Sequence, residues 1–433
     1  MYIQKVEIQN IRNIRTFTWE RPSSSLVGWH VLIGDNGSGK STVLRSLALA
    51  LIGEKDIAGL RQDWNSWLTQ DQLEGSIAIS LLRDEEYDEV SGKGKTSKET
   101  AIPISLSFER DENHRVVIKN KRERKIDPLR YVWGNGSGWF SASYGPFRRF
   151  TGGNSDYDRL FHANRRLATH LSVFGEDVAL SETIEWLKEL HYKQLEKRPQ
   201  GDLLEVIKGF INQPDFLPHG IRFKDVSSEG VKFIDSFGHV VGVDALSDGY
   251  RSILSMTFEI IRQLQIAYPA KPLFSNDNTH IITPGVVMVD EIDVHLHPSW
   301  QQVIGRWFVK HFPNIQFIVS THSPLVCQAV AIGGSIWRLQ SPDAEQPSYE
   351  IKRETEEWKR LVYGNILEAY STDLFGEKID RSEEAQEKLE QVAKFSLKEL
   401  NEGLSKDEEQ ELMRLLQDLP STPKTHSVLF NHD

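Results

Sequence analysis

Three short stretches of this 433-residue chain carry side chains suited to phosphate chemistry. The first, Gly34-Asp35-Asn36-Gly37-Ser38-Gly39-Lys40-Ser41, fills every position of the pattern GxxxxGK[ST]. Its glycines open backbone conformations closed to residues with a Cβ, so successive N–H groups can converge on phosphate oxygens. A helix beginning at the lysine would add its N-terminal partial charge. Lys40 would reach the β- and γ-phosphates of a nucleoside triphosphate, expected to be ATP, and Ser41 would coordinate Mg²⁺. Thr42 completes the expected nucleotide-binding loop.

The second stretch, Val286-Val287-Met288-Val289-Asp290-Glu291, is an apolar run ending in two carboxylates. An Asp at the end of a buried strand can hold the metal and its water shell, and the adjacent Glu can polarise an attacking water. The third, Phe317-Ile318-Val319-Ser320-Thr321-His322-Ser323-Pro324, places a histidine after a similar run. His322 could hydrogen-bond a γ-phosphate and report its presence. Lys40, Glu291 and His322 are therefore the candidate catalytic residues, with Ser41 and Asp290 as the candidate Mg²⁺ ligands. His295 and His297 raise a zinc reading, but they lack the third strong ligand that zinc sites ordinarily have.

These loops need rigid elements beneath them. Residues 30–33, 286–289 and 317–319 are short, continuously apolar and flanked by turns, which predicts buried parallel strands. Helices are expected over 41–52 and 247–266. Residues 3–11 and 16–19 alternate like strands, as do 75–82, 102–108, 116–119, 221–223, 231–234 and 240–243. The spacing of Leu180, Ile184, Leu187 and Leu190 predicts one helical stripe within a helical lobe. Residues 83–100 have too few apolar side chains to fold alone and are expected to form a mobile loop. No internal repeat and no sustained heptad is present.

Composition bounds the alternatives. At 39% hydrophobic residues the chain can bury a large core. Its single cysteine, Cys327, excludes an intramolecular disulfide framework and suits a reducing cytoplasm. No signal sequence or membrane span is apparent, so a soluble cytoplasmic protein is expected. The net charge of −11 argues against a uniformly basic nucleic-acid surface. The charge is uneven, however: residues 353–418 hold 18 acidic and 10 basic side chains, whereas residues 92–130 hold 11 basic and 6 acidic.

Leu246-Ser247-Asp248-Gly249-Tyr250-Arg251 reads by itself as a helix start with Ser247 as N-cap. It also resembles the signature motif of ABC-type ATPases in its LSxGxR form, and it lies between the P-loop and Asp290 in the order which that family uses. Ile8-Gln9-Asn10-Ile11-Arg12-Asn13-Ile14 ahead of the P-loop resembles the SMC/RecF-like branch. Tyr144-Gly145-Pro146-Phe147-Arg148-Arg149 and Asp290-Glu291-Ile292-Asp293-Val294-His295-Leu296-His297-Pro298 look like the AAA/ABC ATPases that include PtuA, the ATPase of the Septu anti-phage systems. The resemblance extends over roughly residues 1–380.

The resemblance implies an α/β P-loop NTPase of ABC type, with a mixed β core, a β-subdomain, a helical lobe and an acidic helical tail. The implied divisions are 1–150 and 219–352 for the two parts of the ATPase core, 151–218 for the helical lobe, 353–419 for the tail, and 420–433 as a frayed end. It further implies a head-to-head homodimer, or a higher even oligomer, around two ATPs. Ser247 and Gly249 of one copy would touch the γ-phosphate held by the Lys40 loop of the other, and Asp293 would sit in the D-loop. The chain departs from the family in lacking an obvious Q-loop glutamine. Gln62 and Gln70 are candidates, and the junction 141–149 supplies Tyr144, Arg148 and Arg149 instead.

No long coiled coil separates the motifs, and no acidic triad in strand context follows His322, so the chain is expected to carry no nuclease of its own. The leading expectation is an ATPase switch subunit controlling a separately encoded effector nuclease, of HNH type, in anti-phage defence. Its rival is a RecF-like repair ATPase that clamps DNA, with Lys119, Lys121, Arg122, Arg124, Lys125, Arg148 and Arg149 as candidate nucleic-acid contacts. The basic run from Lys119 to Lys125 is better explained as a solvated hairpin rim. A transporter subunit, which needs a membrane partner, fits least.

Overall fold

The computed structural model describes the chain apart from residues 92–100, 121–125, 135–137, 147–163, 176–180, 215, 218–219, 343, 345, 371, 373–382, 402 and 419–433. It opens with β1 (Tyr2–Ile11) and β2 (Ile14–Glu20), an antiparallel hairpin. Its apolar residues Ile3, Val6, Ile8, Ile11, Phe17 and Trp19 are buried. Alternation along β1 skips a step between Ile3 and Val6 because the register shifts between Ile3 and Lys5. β3 (Gly28–Ile33) then leaves this hairpin for a second sheet and runs into α1 (Lys40–Ile52). β4 (Glu74–Leu82), β5 (Ala101–Arg110) and β6 (Val116–Asn120) complete the antiparallel sheet in the order β2-β1-β4-β5-β6.

The second sheet carries the predicted chemistry. Its members after β3 are β7 (Ser141–Tyr144), β11 (Gly285–Val289), β12 (Ile315–Ser320), β13 (Gly334–Arg338) and β14 (Tyr349–Ile351), in the order β14-β13-β3-β12-β11-β7. Every residue of β3, β11 and β12 is buried, as expected of strands covered on both faces. All neighbours in this sheet pair in parallel except β13 with β14. Leu32 lies opposite Ser320, and Val319 opposite Val289. The loops leaving the C-terminal ends of β3, β12 and β11 therefore emerge side by side, where open α/β sheets place their ligands. On one face of this sheet the rings of Trp29, Phe308 and Phe317 pack with centroids 5.1–6.1 Å apart and brace the strands.

The helical region contains α2 (Ser181–Leu195) and α3 (Asp202–Ile211). A third, small sheet follows, of β8 (Arg222–Ser227), β9 (Gly230–Ile234) and β10 (Val240–Gly242). It leads into α4 (Asp248–Ala267), a mostly buried helix about 30 Å long. α5 (Pro298–His311) crosses from β11 to β12, and α6 (Glu356–Tyr363) follows β14.

Four details differ from the sequence expectations. On α2 the buried positions are Thr183, Leu187 and Leu190, while Ile184 is half-buried and Leu180 lies outside the described residues. Thr183 goes inside because its hydroxyl donates to Glu259 at 2.7 Å. Secondly, β7, β13 and β14 were not foreseen as strands of this sheet. Thirdly, residues 84–91 are anchored rather than mobile: the buried Asp88 carboxylate lies 2.9 Å from the Met1 amine and accepts the Asp84 N–H at 2.7 Å. The rest of that expected loop, 92–100, lies outside the described residues. Finally, the acidic tail is not one body. Trp358, Leu361 and Val362 are buried, and the chain divides into compact units at 1–369 and 370–433. The second unit holds α7 (Glu383–Asn401) and α8 (Lys406–Asp418), joined by a turn in which Ser405 and Glu408 cap each other's backbone N–H. Among the described residues no helix is long and apolar enough to cross a membrane.

Candidate nucleotide site

The P-loop spans the gap between β3 and α1. Gly37 and Gly39 have φ of 81° and 99°, the left-handed region that glycine enters without strain. Gly34 also admits no side chain, since a Cβ there would lie 2.4 Å from the Leu339 carbonyl oxygen. Asp35, Asn36 and Gly37 are exposed, Ser41 is half-buried, and Ser38, Gly39, Lys40 and Thr42 are buried. The Lys40 ammonium curls back over the loop and donates to the carbonyls of Gly34 (2.7 Å) and Asp35 (2.9 Å). Desolvation lowers its pKa, opposed by the negative field of Asp290, Asp35, Glu291 and Asp293. Asp290, Glu291 and Asp293, distant in sequence, thus act electrostatically on the lysine together with the neighbouring Asp35. The Ser38 hydroxyl is buried without a hydrogen-bond partner among the described residues.

Asp290 is 2% exposed at the end of β11. Its backbone N–H is held by the Tyr144 carbonyl of β7 at 2.8 Å, and its carboxylate by the Ser320 hydroxyl. Ser320 also accepts the Glu291 N–H at 2.8 Å. Next along β12, Thr321 donates to Asp293 at 2.5 Å and accepts the Ser323 N–H at 2.9 Å. Two hydroxyls thus stitch the carboxylate loop to the histidine loop, where His322 stands half-buried. Glu291 has φ of 47°, unusual for a residue with a Cβ. Backbone strain of this kind, on the order of 1–3 kcal/mol, tends to persist where a side chain must be aimed.

The sequence reading missed Asn13, Ser320 and Thr321. Asn13, in the turn from β1 to β2, donates to the Gly37 carbonyl and accepts from Thr42 at 3.1 Å, clamping the P-loop to the start of α1. Its only signal was its place in the Ile8–Ile14 stretch. Of the glutamine candidates, Gln70 lines an open groove with Asn13 and Thr42, whereas Gln62 reaches back to the Leu60 carbonyl at 3.4 Å.

The signature residues are placed differently. Ser247 occupies the N-cap position of α4 and is exposed, and its side chain makes no capping bond. Asp248 is exposed and pairs with Arg251. Leu246 is buried, the Tyr250 ring meets Trp300 at 6.4 Å, and a Cβ on Gly249 would lie 3.1 Å from the His295 carbonyl. The signature turn therefore packs against the segment after Asp293. None of its charges is among the groups that perturb Lys40.

Lys119 is paired with Glu109 at 2.8 Å across β5 and β6 and is exposed. Lys121, Arg122, Arg124, Lys125, Arg148 and Arg149 lie outside the described residues. Among the described residues no group of three or more His, Cys, Asp or Glu is arranged for a metal, His295 and His297 included.

A protein family described as "AAA domain, putative AbiEii toxin, Type IV TA system" matches residues 30–328, from β3 through the histidine loop. The chain belongs to this AAA family. Within the family's matched span lie the P-loop, the signature, Asp290–Glu291 and His322. The chain is 26% identical over 383 residues to the "Retron Vc95 probable ATPase" of Vibrio cholerae, covering 75% of this chain and 72% of that one. It is also 26% identical over 360 residues to the Septu protein PtuA of Bacillus mycoides, covering 79% of this chain and 41% of that protein. The chain thus spans less than half the length of that second relative. A solved SMC head bound to the C-winged helix domain of ScpA is similar with a TM-score of 0.47 at 15% identity, covering 81% of this chain and 98% of that one. The expected α/β P-loop class and the expected resemblance to the Septu ATPases both hold, and the retron ATPase is a relative that the motifs did not point to.

Proposed function

We propose that this chain is an ATPase switch, hydrolysing ATP in sites shared by two copies and controlling a separately encoded effector nuclease of HNH type in anti-phage defence. The observation that carries the hydrolytic part is the convergence of the Lys40, Asp290–Glu291 and His322 loops at the C-terminal ends of adjacent strands of the central sheet. The residues fit the nucleotide: a glycine-built loop, a desolvated lysine occupied only by loop carbonyls, and a buried serine hydroxyl with nothing bound to it among the described residues. Ser41 and Asp290 would hold Mg²⁺, which when bound neutralises phosphate charge. The Lys40 ammonium exchanges its two carbonyls for phosphate oxygens. Glu291 orients a water whose oxygen attacks the γ-phosphorus, and the bond from that phosphorus to the bridging oxygen breaks. The water's proton passes by way of Glu291 to the released phosphate, and ADP departs. His322 hydrogen-bonds the γ-phosphate from the loop after β12.

The signature supplies the reason for two copies. Ser247 stands at the exposed start of α4, and a helix N-terminus suits an anion, while the Lys40 site draws its charged neighbours from elsewhere. ATP's γ-phosphate would attract the partner's helix start, and its loss would release it. The relatives named Septu PtuA and retron probable ATPase support the defence role, and the nuclease partner rests on the PtuA-like resemblance of the sequence motifs. Glu291→Gln tests the hydrolytic reading: ATP binding should persist, turnover should fall at least about a hundredfold, and a dimer should accumulate. Normal turnover in that variant would remove Glu291 from its role.

A further inference from the structure

Phe237 is 83% exposed, the most of any large apolar side chain described, yet the turn that carries it is firmly made. The Asp235 carboxylate accepts the N–H groups of Phe237 (2.9 Å) and His239 (2.8 Å). The Asp235 carbonyl accepts from Gly238, and the Asp235 N–H donates to the His239 carbonyl. Presenting a phenyl ring to water forgoes the favourable burial of its apolar surface, so a built turn that does so is suited to a contact. The turn joins β9 to β10. Only β10, about 10 Å long, and one 3₁₀ turn over Val243–Ala245 lie between it and the signature.

A groove of mixed lining, with apolar side chains among polar ones such as Arg15, Gln340 and Gln346, borders the P-loop. Ile14, Phe17, Ser38, Leu339, Pro342 and Pro347 also line this groove of about 210 Å³. Ile14, Phe17 and Leu339 are buried side chains that give it an apolar floor, and Ser38 is itself a P-loop residue. We infer that Phe237 of one copy enters this groove on a second copy, beside the bound nucleotide. The inference rests on the composite-site reading above. If Ser247 of one copy faces the Lys40 loop of the other, the hairpin tip arrives next to that loop, where the groove lies. Two-fold symmetry forms the contact twice, and a buried aromatic anchor beside a polar site is the usual form of an interface hot spot. Phe237 thus gates dimer closure on top of the phosphate contacts.

Cross-linking in the full-length Glu291→Gln background tests this. Cys327 is buried, and burial raises its thiol pKa, so it stays silent. Phe237→Cys with Gln346→Cys, at the groove rim, should give a disulfide-linked dimer under copper–phenanthroline with ATP, and none without ATP or with either cysteine alone. Phe237→Ala should weaken ATP-dependent dimerisation by roughly tenfold or more while monomer affinity for ATP is unchanged. Full dimerisation by Phe237→Ala, or no cross-link in a chain that does dimerise, overturns the groove assignment alone. A fall in monomer ATP affinity on substituting Gln346 with Trp would assign the groove to the nucleotide and also overturns it. Failure of Glu291→Gln itself to dimerise with ATP would instead refute the composite site.

Discussion

Ser320 donates its hydroxyl proton to the Asp290 carboxylate across 2.5 Å, and the same oxygen accepts the N–H of Glu291 at 2.8 Å. One side chain at the end of β12 therefore holds the Asp290 carboxylate and the Glu291 backbone at the end of β11. Ser320→Ala removes a buried donor and a buried acceptor together, at a cost of about 1–3 kcal/mol in stability. Hydrolysis should fall by about tenfold or more, with ATP binding less affected. Ser320→Thr, which keeps the hydroxyl, should recover most of the rate. Steady-state turnover beside urea unfolding checks this; an unchanged rate in Ser320→Ala would show that the serine does not position the pair.

Asn13 ties Gly37 to Thr42 from outside the P-loop motif. Asn13→Ala should loosen the phosphate cradle and weaken ATP binding by roughly tenfold, the equivalent of about 1.4 kcal/mol. Its folding stability should change less, because the residue sits in a surface turn. Titration with a fluorescent ATP analogue measures the effect. Wild-type affinity would assign Asn13 to the hairpin alone.

How far the site could be read in advance follows from where its partners lie. Lys40, Asp290 and Glu291 sit in contiguous motifs in which residue type and spacing state the chemistry. Asn13 and Ser320 act through partners 24 to 30 residues away, brought together by the β11–β12 register for Ser320 and by packing between two sheets for Asn13. β7 was hidden for a different reason. Its Ser141-Ala142-Ser143-Tyr144 stretch lacks the apolar run of a buried strand, and it can go inside because His170 bridges the hydroxyls of Ser141 (3.0 Å) and Ser143 (2.8 Å). Asp88 misled the loop expectation in the same way, being a charge that is buried with partners.

Three buried histidines make stability depend on pH. Burial lowers the pKa of His170 to about 3, helped by Arg166, and burial lowers those of His30 and His311 to about 4. These folded-state values lie below the unfolded value, so between them the unfolded chain binds more protons and stability rises with pH. The contribution is complete above about pH 6.5 and is lost as pH falls towards 4, by up to about 1.4 kcal/mol per pH unit for each histidine. Urea midpoints should therefore fall steeply from pH 6.5 to 5, and less steeply in His30→Gln. A flat profile would contradict neutral burial of these rings.

The claim that Lys40 holds only half of a catalytic site is tested most directly by mixing two inactive variants. Lys40→Ala and Ser247→Arg should each hydrolyse ATP at background rates. A mixed dimer pairs the intact P-loop of the Ser247→Arg copy with the intact signature of the Lys40→Ala copy. Mixing equal amounts should therefore restore turnover, to at most about a quarter of the wild-type rate for random pairing of two-fold dimers. A mixture no more active than its separate components would contradict the composite site.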